Sequence, residues 1–303
     1  MKVLVLMSTY NGERYLIEQI DSILAQERVD VHLLVRDDGS KDRTCEILDK
    51  YVLSHPNIEV VKAENVGFIK SFSKLIEMAQ NTRIQADYFA FSDQDDVWMP
   101  HKLKMASDSL SHMDQEKPLL FSSNSMYVDE TLNPIGLFHK EELYRTKENV
   151  MIYPTEQGCS MVFNRKAVEL YNHHHPTVSW HDRWMCLICN FMGEMVYCNE
   201  SLFYYRIHSS NTLSGKRSFL KVYSDDIKEF FTTPSVNYPM IIEFYNSFQN
   251  YLDDNAIHMI DDYIAYRHSF RIKMKIIFLS KYQYSFLWWR RLRNAFLVLF
   301  NKR

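Results

Sequence analysis

The sequence predicts an α/β protein with a mostly parallel sheet flanked by helices. Within residues 1–120, short apolar runs alternate with longer segments of helical periodicity. Strands joined by helices of this length pair in parallel, because right-handed crossovers return each strand to the same sheet. A polar motif also follows each of the first four strands, and parallel sheets bind ligands at the carboxyl ends of their strands.

Four strands are predicted in the first part of the chain, at residues 2–7, 31–35, 58–62 and 88–92. A helix follows each of the first three strands, because apolar residues recur there at helical spacing, and Asn11-Gly12-Glu13 is expected to open the first of these helices. The recurring residues are Leu16, Ile20, Ile23 and Leu24, then Ile47, Leu48 and Tyr51, then Phe68, Phe72, Leu75, Ile76 and Ala79. Pro100 suits the first turn of another helix after the fourth strand.

From residue 119 the pattern changes. Strands are predicted at 119–128 and 194–205, a strand entry at 157–163, and an apolar helix from Trp180. Residues 132–149 are polar and irregular, which is typical of a mobile loop. Long helical patterns dominate beyond residue 216. We therefore expect a catalytic domain at 1–215, in two halves at 1–118 and 119–215, and a helical region at 216–303.

The composition is that of a globular protein. The chain has 303 residues, of which 46% are hydrophobic and 24% charged, and this excludes disorder. No stretch reaches the roughly 18 to 20 apolar residues that span a bilayer. We expect no signal peptide, because the apolar run at residues 1–7 ends at once. The five cysteines are an odd number, and we expect core thiols in a reducing compartment.

Three carboxylates crowd the end of the fourth strand. Asp93, Asp95 and Asp96 fall within four residues, directly after a buried strand. Like charges this close repel each other, so we expect a cation among them. Mg²⁺ and Mn²⁺ prefer such oxygen ligands and commonly bind phosphate as well. A solvated turn is the alternative for the cluster, and capping of the next helix is the alternative for Asp96.

The acidic cluster is one of four polar motifs at strand ends. The motifs lie at 8–13, 37–40, 65–67 and 93–96. Because the carboxyl ends of parallel strands share one edge of a sheet, the four motifs predict a single nucleotide or phosphate site. Neither a GxGxxG motif nor a Walker-type loop is present in the sequence.

Five short motifs together resemble the inverting family 2 glycosyltransferases, whose GT-A fold is Rossmann-like. They are Ser8-Thr9-Tyr10-Asn11-Gly12, Arg36-Asp37-Asp38-Gly39-Ser40, Asn65-Val66-Gly67-Phe68, Phe91-Ser92-Asp93-Gln94-Asp95-Asp96-Val97-Trp98 and Trp180-His181-Asp182. The resemblance covers residues 1–215. The form of the acidic motif, with Gly158-Cys159-Ser160-Met161 and 205–211, is similar to bacterial rhamnosyltransferases of capsule, O-antigen or cell-wall polysaccharide synthesis.

The resemblance implies a donor site for a TDP- or UDP-linked sugar, with rhamnose from TDP-rhamnose as the first expectation. Asp38 would accept a hydrogen bond from N3–H of the base. Asp93 and Asp95 would form the DxD element, which binds Mg²⁺ or Mn²⁺ and through it the diphosphate. His208, with Arg206 nearby, is a further predicted ligand of the metal or diphosphate, and a structural histidine is the alternative. The remaining nucleotide-sugar-binding residues would be Thr9, Tyr10, Asn11, Glu13, Asn65, Gly67 and Gln94.

The resemblance also implies an acceptor site. Asp182 would be the general base that takes the proton of the attacking hydroxyl. The acceptor-binding residues would be Gly158, Cys159, Trp180 and His181. Arg183 stands where relatives often carry Trp. The acceptor would be a saccharide, and a lipid-linked saccharide on the inner leaflet of the cell membrane is the expected form.

The end of the chain is strongly basic. Residues 264–303 contain ten Lys or Arg and no Asp or Glu, so this basic tail carries about +10 and the rest of the chain about −13. Trp288 and Trp289 lie beside arginines and apolar residues, which favours a helix on anionic lipid. We therefore expect a cytoplasmic, peripheral membrane protein. Packing on the protein, or a homodimer, is the alternative, and nucleic acid is not an expected partner.

Two other classes of function remain open from the residues alone. A phosphohydrolase or nucleotidyltransferase would use the same acidic cluster but would need no acceptor base at Asp182. A non-catalytic sugar-binding scaffold on a membrane would tolerate the loss of site residues. The presence of all four site aspartates argues against this class; they are Asp38, Asp93, Asp95 and Asp182. The donor sugar, the choice between TDP and UDP, the acceptor, the linkage and the oligomeric state are not fixed by these motifs.

Overall fold

The computed structural model describes residues 1–140, 145–152, 156–177, 180–208, 237–279, 282 and 295–300. The chain forms two compact units. The first unit comprises residues 1–140, 156–175 and 180–206, and the second comprises 141–155, 176–179 and 207–303. The predicted domain boundary at residues 215 and 216 lies outside the described residues.

The first unit contains a nine-stranded sheet. Its strands are β1 (Lys2–Thr9), β2 (Asp30–Asp37), β3 (Ile58–Lys62), β4 (Tyr88–Ser92), β5 (Val97–Trp98), β6 (Leu119–Val128), β7 (Pro134–Leu137), β8 (Val162–Asn164) and β9 (Glu194–Arg206). The order across the sheet is β3-β2-β1-β4-β8-β6-β9-β5, with β7 paired to β6. Strands β1 to β4 are parallel, β8 enters antiparallel between β4 and β6, and β6 and β9 are parallel.

Amphipathic helices cover the sheet. They are α1 (Leu16–Leu24), α2 (Thr44–Ser54), α3 (Phe68–Asn81), α4 (Lys102–Ser111), α6 (Arg165–His173) and α7 (His181–Met192), with α5 (Lys147–Ile152) in the second unit. Helix α1 buries Leu16, Ile20 and Ile23, as its spacing predicts, and β4 is buried along its whole length. Burial on both faces explains why β4 is continuously apolar. The α/β prediction is confirmed.

The register of the parallel strands positions the functional site. Thr9 of β1 lies opposite Asp37 of β2, and Met7 of β1 lies opposite Ser92 of β4. Because these strands run in the same direction, the loops that follow them emerge at one edge of the sheet.

Three local predictions differ from the structure. Helix α1 begins at Leu16 rather than near Asn11, because Asn11 has a left-handed φ of 48° that an α-helix does not accept. The strand entry predicted at 157–163 starts with a 3-10 turn, Gly158–Ser160, before β8. Within 132–149, the predicted irregular loop, the chain forms β7 and the first residues of α5, and residues 141–144 lie outside the described part.

The second unit is helical where it is described, as predicted for the end of the chain. Besides α5 it contains α8 (Asn237–Phe248), α9 (Asp254–Ala265) and α10 (Phe270–Phe278). Its buried hydrophobic residues are, within the described part, Val150, Met151, Ile152, Met240, Ile241, Phe244, Phe248, Ala256, Ile260, Tyr263, Tyr266, Ile276, Tyr282 and Val298. Asp253 caps α9 by accepting a 2.7 Å hydrogen bond from the amide of Ala256. Among the described residues, no helix has the length and apolarity that crossing a bilayer requires.

Candidate active site

The loops after β1 and β2 are joined through Asp37. Its carboxylate is 1% exposed and accepts hydrogen bonds from the hydroxyls of Thr9, at 2.9 Å, and Ser40, at 2.6 Å. The amide of Ser40 donates a third bond at 2.9 Å. Because a buried carboxylate needs such partners, Asp37 and Thr9 hold the two loops in a fixed relation.

Two more side chains of the first loop cross to the second loop. Asn11 accepts a 2.8 Å bond from the amide of Lys41, and Glu13 accepts a 2.8 Å bond from the amide of Arg43. The side chains of Thr9, Asn11 and Glu13, all predicted in the nucleotide pocket, therefore fasten the loops. Tyr10 differs from them, since it is 46% exposed at the edge of the site.

Asp38 fixes the loop that follows β3. It is 2% exposed and accepts bonds from the amides of Val66, at 2.9 Å, and Gly67, at 2.8 Å. The Arg36 guanidinium donates to the same oxygen as the amide of Val66. A carboxylate offers about four acceptor positions. Three are occupied here, so one position on Oδ2 remains for the predicted contact with a nucleobase.

Gly67 and Asn65 lie on the exposed part of this loop. Gly67 has φ 81°, which disfavours other residues, and a Cβ at this position would meet nothing within 4 Å. Glycine is therefore favoured at residue 67 by the positive φ angle of the backbone and not by neighbouring atoms.

The loop after β4, residues 93–96 and called here the acidic loop, brings several charges together. Burial, together with the charges of Asp95 and Asp182, raises the pKa of Asp93 to about 7. Burial also raises the pKa of Asp96 well above its usual range, with Asp95 and Asp93 contributing. Asp182 comes from α7, far along the chain, and the fold brings it close enough to the acidic loop for its charge to act on Asp93.

Asp96 does not cap a helix, and that alternative is wrong. The side chain is 1% exposed, and its Oδ1 accepts a bond of 3.3 Å from the amide of Arg206, whereas α4 begins only at Lys102. Ligand atoms of Asp93, Asp96 and Cys159 all lie within 4.8 Å of one another. Asp96 thus belongs to the acidic cluster.

The donor set fits a hard divalent cation. Clustered carboxylates with raised pKa values are stabilised by positive charge, and carboxylate oxygens suit Mg²⁺ and Mn²⁺. Burial raises the pKa of the Cys159 thiol well above its usual range. A protonated thiol is a poor metal ligand, so the oxygens of the aspartates are the fitting donors.

Lys102 is a buried cation beside this cluster that sequence reasoning missed. Its ammonium donates a 2.6 Å bond to the carbonyl of Cys159 and lies 3.3 Å from the ring centre of Trp98. Burial lowers its pKa to about 7, and the charges of Asp96 and Asp93 oppose this shift. No local signal identified it, because a lysine in a helix's first turn is ordinarily solvated.

Arg206 supports the acidic loop rather than a diphosphate. The side chain is 1% exposed. Its Nε donates to the carbonyl of Asp95 at 2.9 Å, its Nη1 to the carbonyl of Glu130 at 2.7 Å, and its Nη2 to the carboxylate of Glu18. His208 is buried in the second unit, and its role as a metal ligand stays a prediction.

The predicted acceptor residues come from two places: Gly158 and Cys159 from the 3-10 turn before β8, and Trp180 and His181 from the start of α7. Asp182 lies in the first turn of α7, and its Oδ1 accepts a 2.7 Å bond from the amide of Arg183. A Cβ added to Gly158 would lie 3.2 Å from Cβ of Asp182 and 3.2 Å from Nε2 of His181. Gly158 therefore allows the 3-10 turn to pass close to the predicted base.

The side chain of His181 is buried against two aromatic rings. Its ring stacks on Phe72 with centres 4.0 Å apart and meets the ring of Phe91 edge-on at 4.8 Å. Burial lowers the pKa of His181 to about 4, so the ring is neutral at pH 7. Trp180 lies further out, edge-on to Phe68 at 5.6 Å, and the Arg183 guanidinium lies 5.2 Å from its ring centre.

Comparison with known proteins gives a family match. A model of glycosyl transferase family 2 matches residues 4–170. A dTDP-rhamnosyl transferase of Shigella flexneri, RfbG, is 40% identical over 107 residues, which are 34% of this chain and 36% of that protein. An uncharacterized glycosyltransferase of Nostoc is 28% identical over 225 residues, 70% of this chain and 66% of its own length. The chain thus spans about a third of the first relative and two thirds of the second.

Solved structures show the same fold. Staphylococcus aureus TarS 1–349, in a complex with UDP-GlcNAc, superposes with a TM-score of 0.62 at 18% identity. The match covers 98% of this chain and 81% of that chain. At this identity the likeness concerns the fold alone, and it confirms the predicted GT-A architecture.

Proposed function

Since the chain belongs to glycosyl transferase family 2, we propose that it transfers a sugar from a pyrimidine nucleotide sugar to a saccharide, with inversion at the anomeric carbon. The observation that carries the proposal is the 3-10 turn Gly158–Ser160, which links the two groups: a Cβ at Gly158 would lie 3.2 Å from Cβ of Asp182, and the adjacent Cys159 has its sulfur within 4.8 Å of carboxylate oxygens of Asp93 and Asp96. The charge of Asp182 correspondingly raises the pKa of Asp93. An acceptor base and a diphosphate site have to be this close for a single displacement.

The proposed donor is TDP-rhamnose. The Shigella relative, a dTDP-rhamnosyl transferase, supports this choice. Asp38 accepts N3–H of the thymine through its remaining acceptor position, and the exposed ring of Tyr10 stacks on the base. Uracil presents the same N3–H group, so UDP sugars are the competing donors that the test includes.

The diphosphate site contains Asp93, Asp95 and Asp96. These carboxylates hold Mg²⁺ or Mn²⁺, which when bound stabilises the negative charge of the leaving diphosphate. Arg206 holds the backbone of Asp95 from behind, so the loop is placed before the donor binds.

Asp182 acts as the general base. As the acceptor oxygen forms its bond to the anomeric carbon, the bond from that carbon to the diphosphate breaks and the acceptor's proton passes to Asp182. The amide of Arg183 bonds to the carboxylate, Gly158 lets the 3-10 turn pass close to it, and Trp180 offers an aromatic surface to the acceptor saccharide.

The basic tail attaches the protein to an anionic membrane surface. On α10, Phe270 and Phe278 are 71% and 77% exposed, and Arg271 and Lys273 belong to the same helix. Aromatic and basic side chains together bind anionic lipid, with about 1 kcal/mol per Lys or Arg near the surface. Trp288 and Trp289 lie outside the described residues. The acceptor is then a lipid-linked saccharide on the cytoplasmic face.

Calorimetric titration tests the donor site. TDP, UDP and their common sugar conjugates are titrated with and without Mn²⁺. We expect TDP-rhamnose to bind in a Mn²⁺-dependent manner, and absence of binding by every nucleotide would contradict the proposal. NMR of the product must show the inverted anomer, and phosphate release without transfer would indicate a hydrolase instead.

Co-sedimentation with vesicles tests the tail. Vesicles of phosphatidylcholine with 30% phosphatidylserine should retain the protein at low salt, and Arg271→Gln with Lys273→Gln should weaken retention. Equal binding to vesicles of phosphatidylcholine alone, or a salt-stable dimer in sedimentation velocity without vesicle binding, would refute the lipid contact.

A further inference from the structure

Gln94 separates the two aspartates of the DxD element, but its side chain contacts a different loop. Its Oε1 accepts a 2.8 Å bond from the amide of Tyr10, and its Nε2 donates a 3.0 Å bond to the carbonyl of the same residue. A carboxamide that meets both polar groups of one residue fixes the position of that residue in two directions.

Gly12 leaves the space that this pairing requires. A Cβ at Gly12 would lie 2.3 Å from Oε1 of Gln94 and 2.6 Å from its Cδ. Gly12 is not among the residues with positive φ, so its backbone conformation admits other residues. A side chain at residue 12 would therefore displace the Gln94 carboxamide, and glycine here preserves its pairing with Tyr10.

The residue that Gln94 holds is the exposed one of its loop. Thr9 is buried and bonded to Asp37, and Asn11 is bonded to the loop after β2, while Tyr10 is 46% exposed. The ring of Tyr10 is therefore oriented chiefly through its backbone, and Gln94 bonds to both polar groups of that backbone.

We propose that Gln94 is a positioning residue that couples the cation site to the nucleobase site. A cation bound by Asp93 and Asp95 also restricts the position of Gln94, which lies between them. Because the Gln94 side chain bonds to the backbone of Tyr10, the position of Tyr10 is restricted in turn. Nucleobase affinity and cation affinity then depend on each other, as linkage requires. The inference rests on the proposed function, since it assigns the two sites that are coupled.

A double-mutant cycle tests the pairing. TMP and TDP are titrated calorimetrically, with and without Mn²⁺, into the wild type, Gln94→Ala, Gly12→Ala and the double variant. Loss of two hydrogen bonds should weaken TMP binding about 10-fold in Gln94→Ala, even without metal, and should reduce the Mn²⁺-dependent gain for TDP. Gly12→Ala should match this loss, because its methyl group displaces the carboxamide.

The double variant gives the deciding result. Once the Gln94 side chain is gone, the methyl group at residue 12 meets no clash, so the double variant should bind TMP as Gln94→Ala does. Additive losses, or single variants that bind like the wild type, would overturn the proposal. Gln94→Glu keeps the acceptor for the amide of Tyr10 but cannot donate to its carbonyl when ionised, and its TMP affinity should be intermediate or lower.

Failure of the inference is distinguishable from failure of the proposed function. If wild-type protein binds neither TDP nor UDP, the proposed donor site is wrong. If it binds one of them but the variants keep both the affinity and the Mn²⁺ response, only the coupling role of Gln94 is refuted. Thermal unfolding of each variant shows whether it is folded. In transfer kinetics, the fold-increase in KM should exceed the fold-decrease in kcat, because the base Asp182 is untouched.

Discussion

Replacing Gly158 with alanine should displace the proposed base without removing it. The new Cβ would lie 3.2 Å from Cβ of Asp182, 3.4 Å from its Oδ2 and 3.2 Å from Nε2 of His181. Carbon atoms pack at about 3.5 to 4.0 Å, and reaching the lower end of this range requires the neighbours to retreat by about 0.3 to 0.5 Å. His181 is held between Phe72 and Phe91, and the strain therefore falls mainly on Asp182.

The expected size of the effect follows from geometry. A misplacement of about 1 Å can lower a rate about 100-fold, so about 0.3 to 0.5 Å should lower kcat roughly 4- to 10-fold. Steady-state transfer kinetics measure this loss, and calorimetry should show unchanged donor affinity, because Gly158 lies at the acceptor side. In an Asp182→Asn background, Gly158→Ala should change the residual rate less than about two-fold.

Three results would refute this reasoning. An unchanged kcat in Gly158→Ala would show that the position of Asp182 does not limit the reaction. A loss of donor affinity would place Gly158 in the donor site instead. An equal further loss in the Asp182→Asn background would mean that the alanine acts through something other than the base.

Three further predictions follow from the same site. Asp182→Asn should lower transfer at least about 100-fold in steady-state kinetics but leave TDP binding intact, and wild-type turnover would exclude it as base. His181 has a folded pKa of about 4 against 6.5, so its own contribution to stability should fall by about 3 kcal/mol as the pH drops from 6.5 to 4; denaturant titrations across this range should show that the free energies of unfolding of the wild type and His181→Phe diverge by this amount. Lys102→Met leaves the carbonyl of Cys159 without its buried donor, and denaturant titration should show a free energy of unfolding lower by about 1 to 3 kcal/mol. The control Lys104→Met breaks a partly exposed ion pair with Asp108 and should lower the free energy of unfolding by less than about 1 kcal/mol.

The secondary structure and the edge that carries the site were predictable from the sequence. Residues 2–7, 31–35, 58–62 and 88–92 form strands as expected. In β1 and β4, burial on both faces imposes the continuous apolar runs. Their carboxyl ends carry the polar motifs at one edge of the sheet, which the parallel register confirms. The acidic loop was recognisable because three like charges in sequence repel each other whatever the fold.

The start of α1 and the 3-10 turn at Gly158–Ser160 were not predictable by periodicity. Asn11 leaves helical geometry because its side chain and amide bond to the loop after β2. That loop is distant in sequence, and no window of neighbouring residues contains the information.

By itself the sequence determined where β1 to β4 lie, that helices follow β1, β2 and β3, and which chemical groups stand at the ends of these strands. Tertiary structure decided what those groups do. It placed Asp182 beside Asp93, buried Lys102 beside Cys159, and turned Gln94 onto Tyr10, 84 residues away. Local patterns follow from the periodicity of helices and strands, whereas these contacts depend on packing between segments that no local pattern relates.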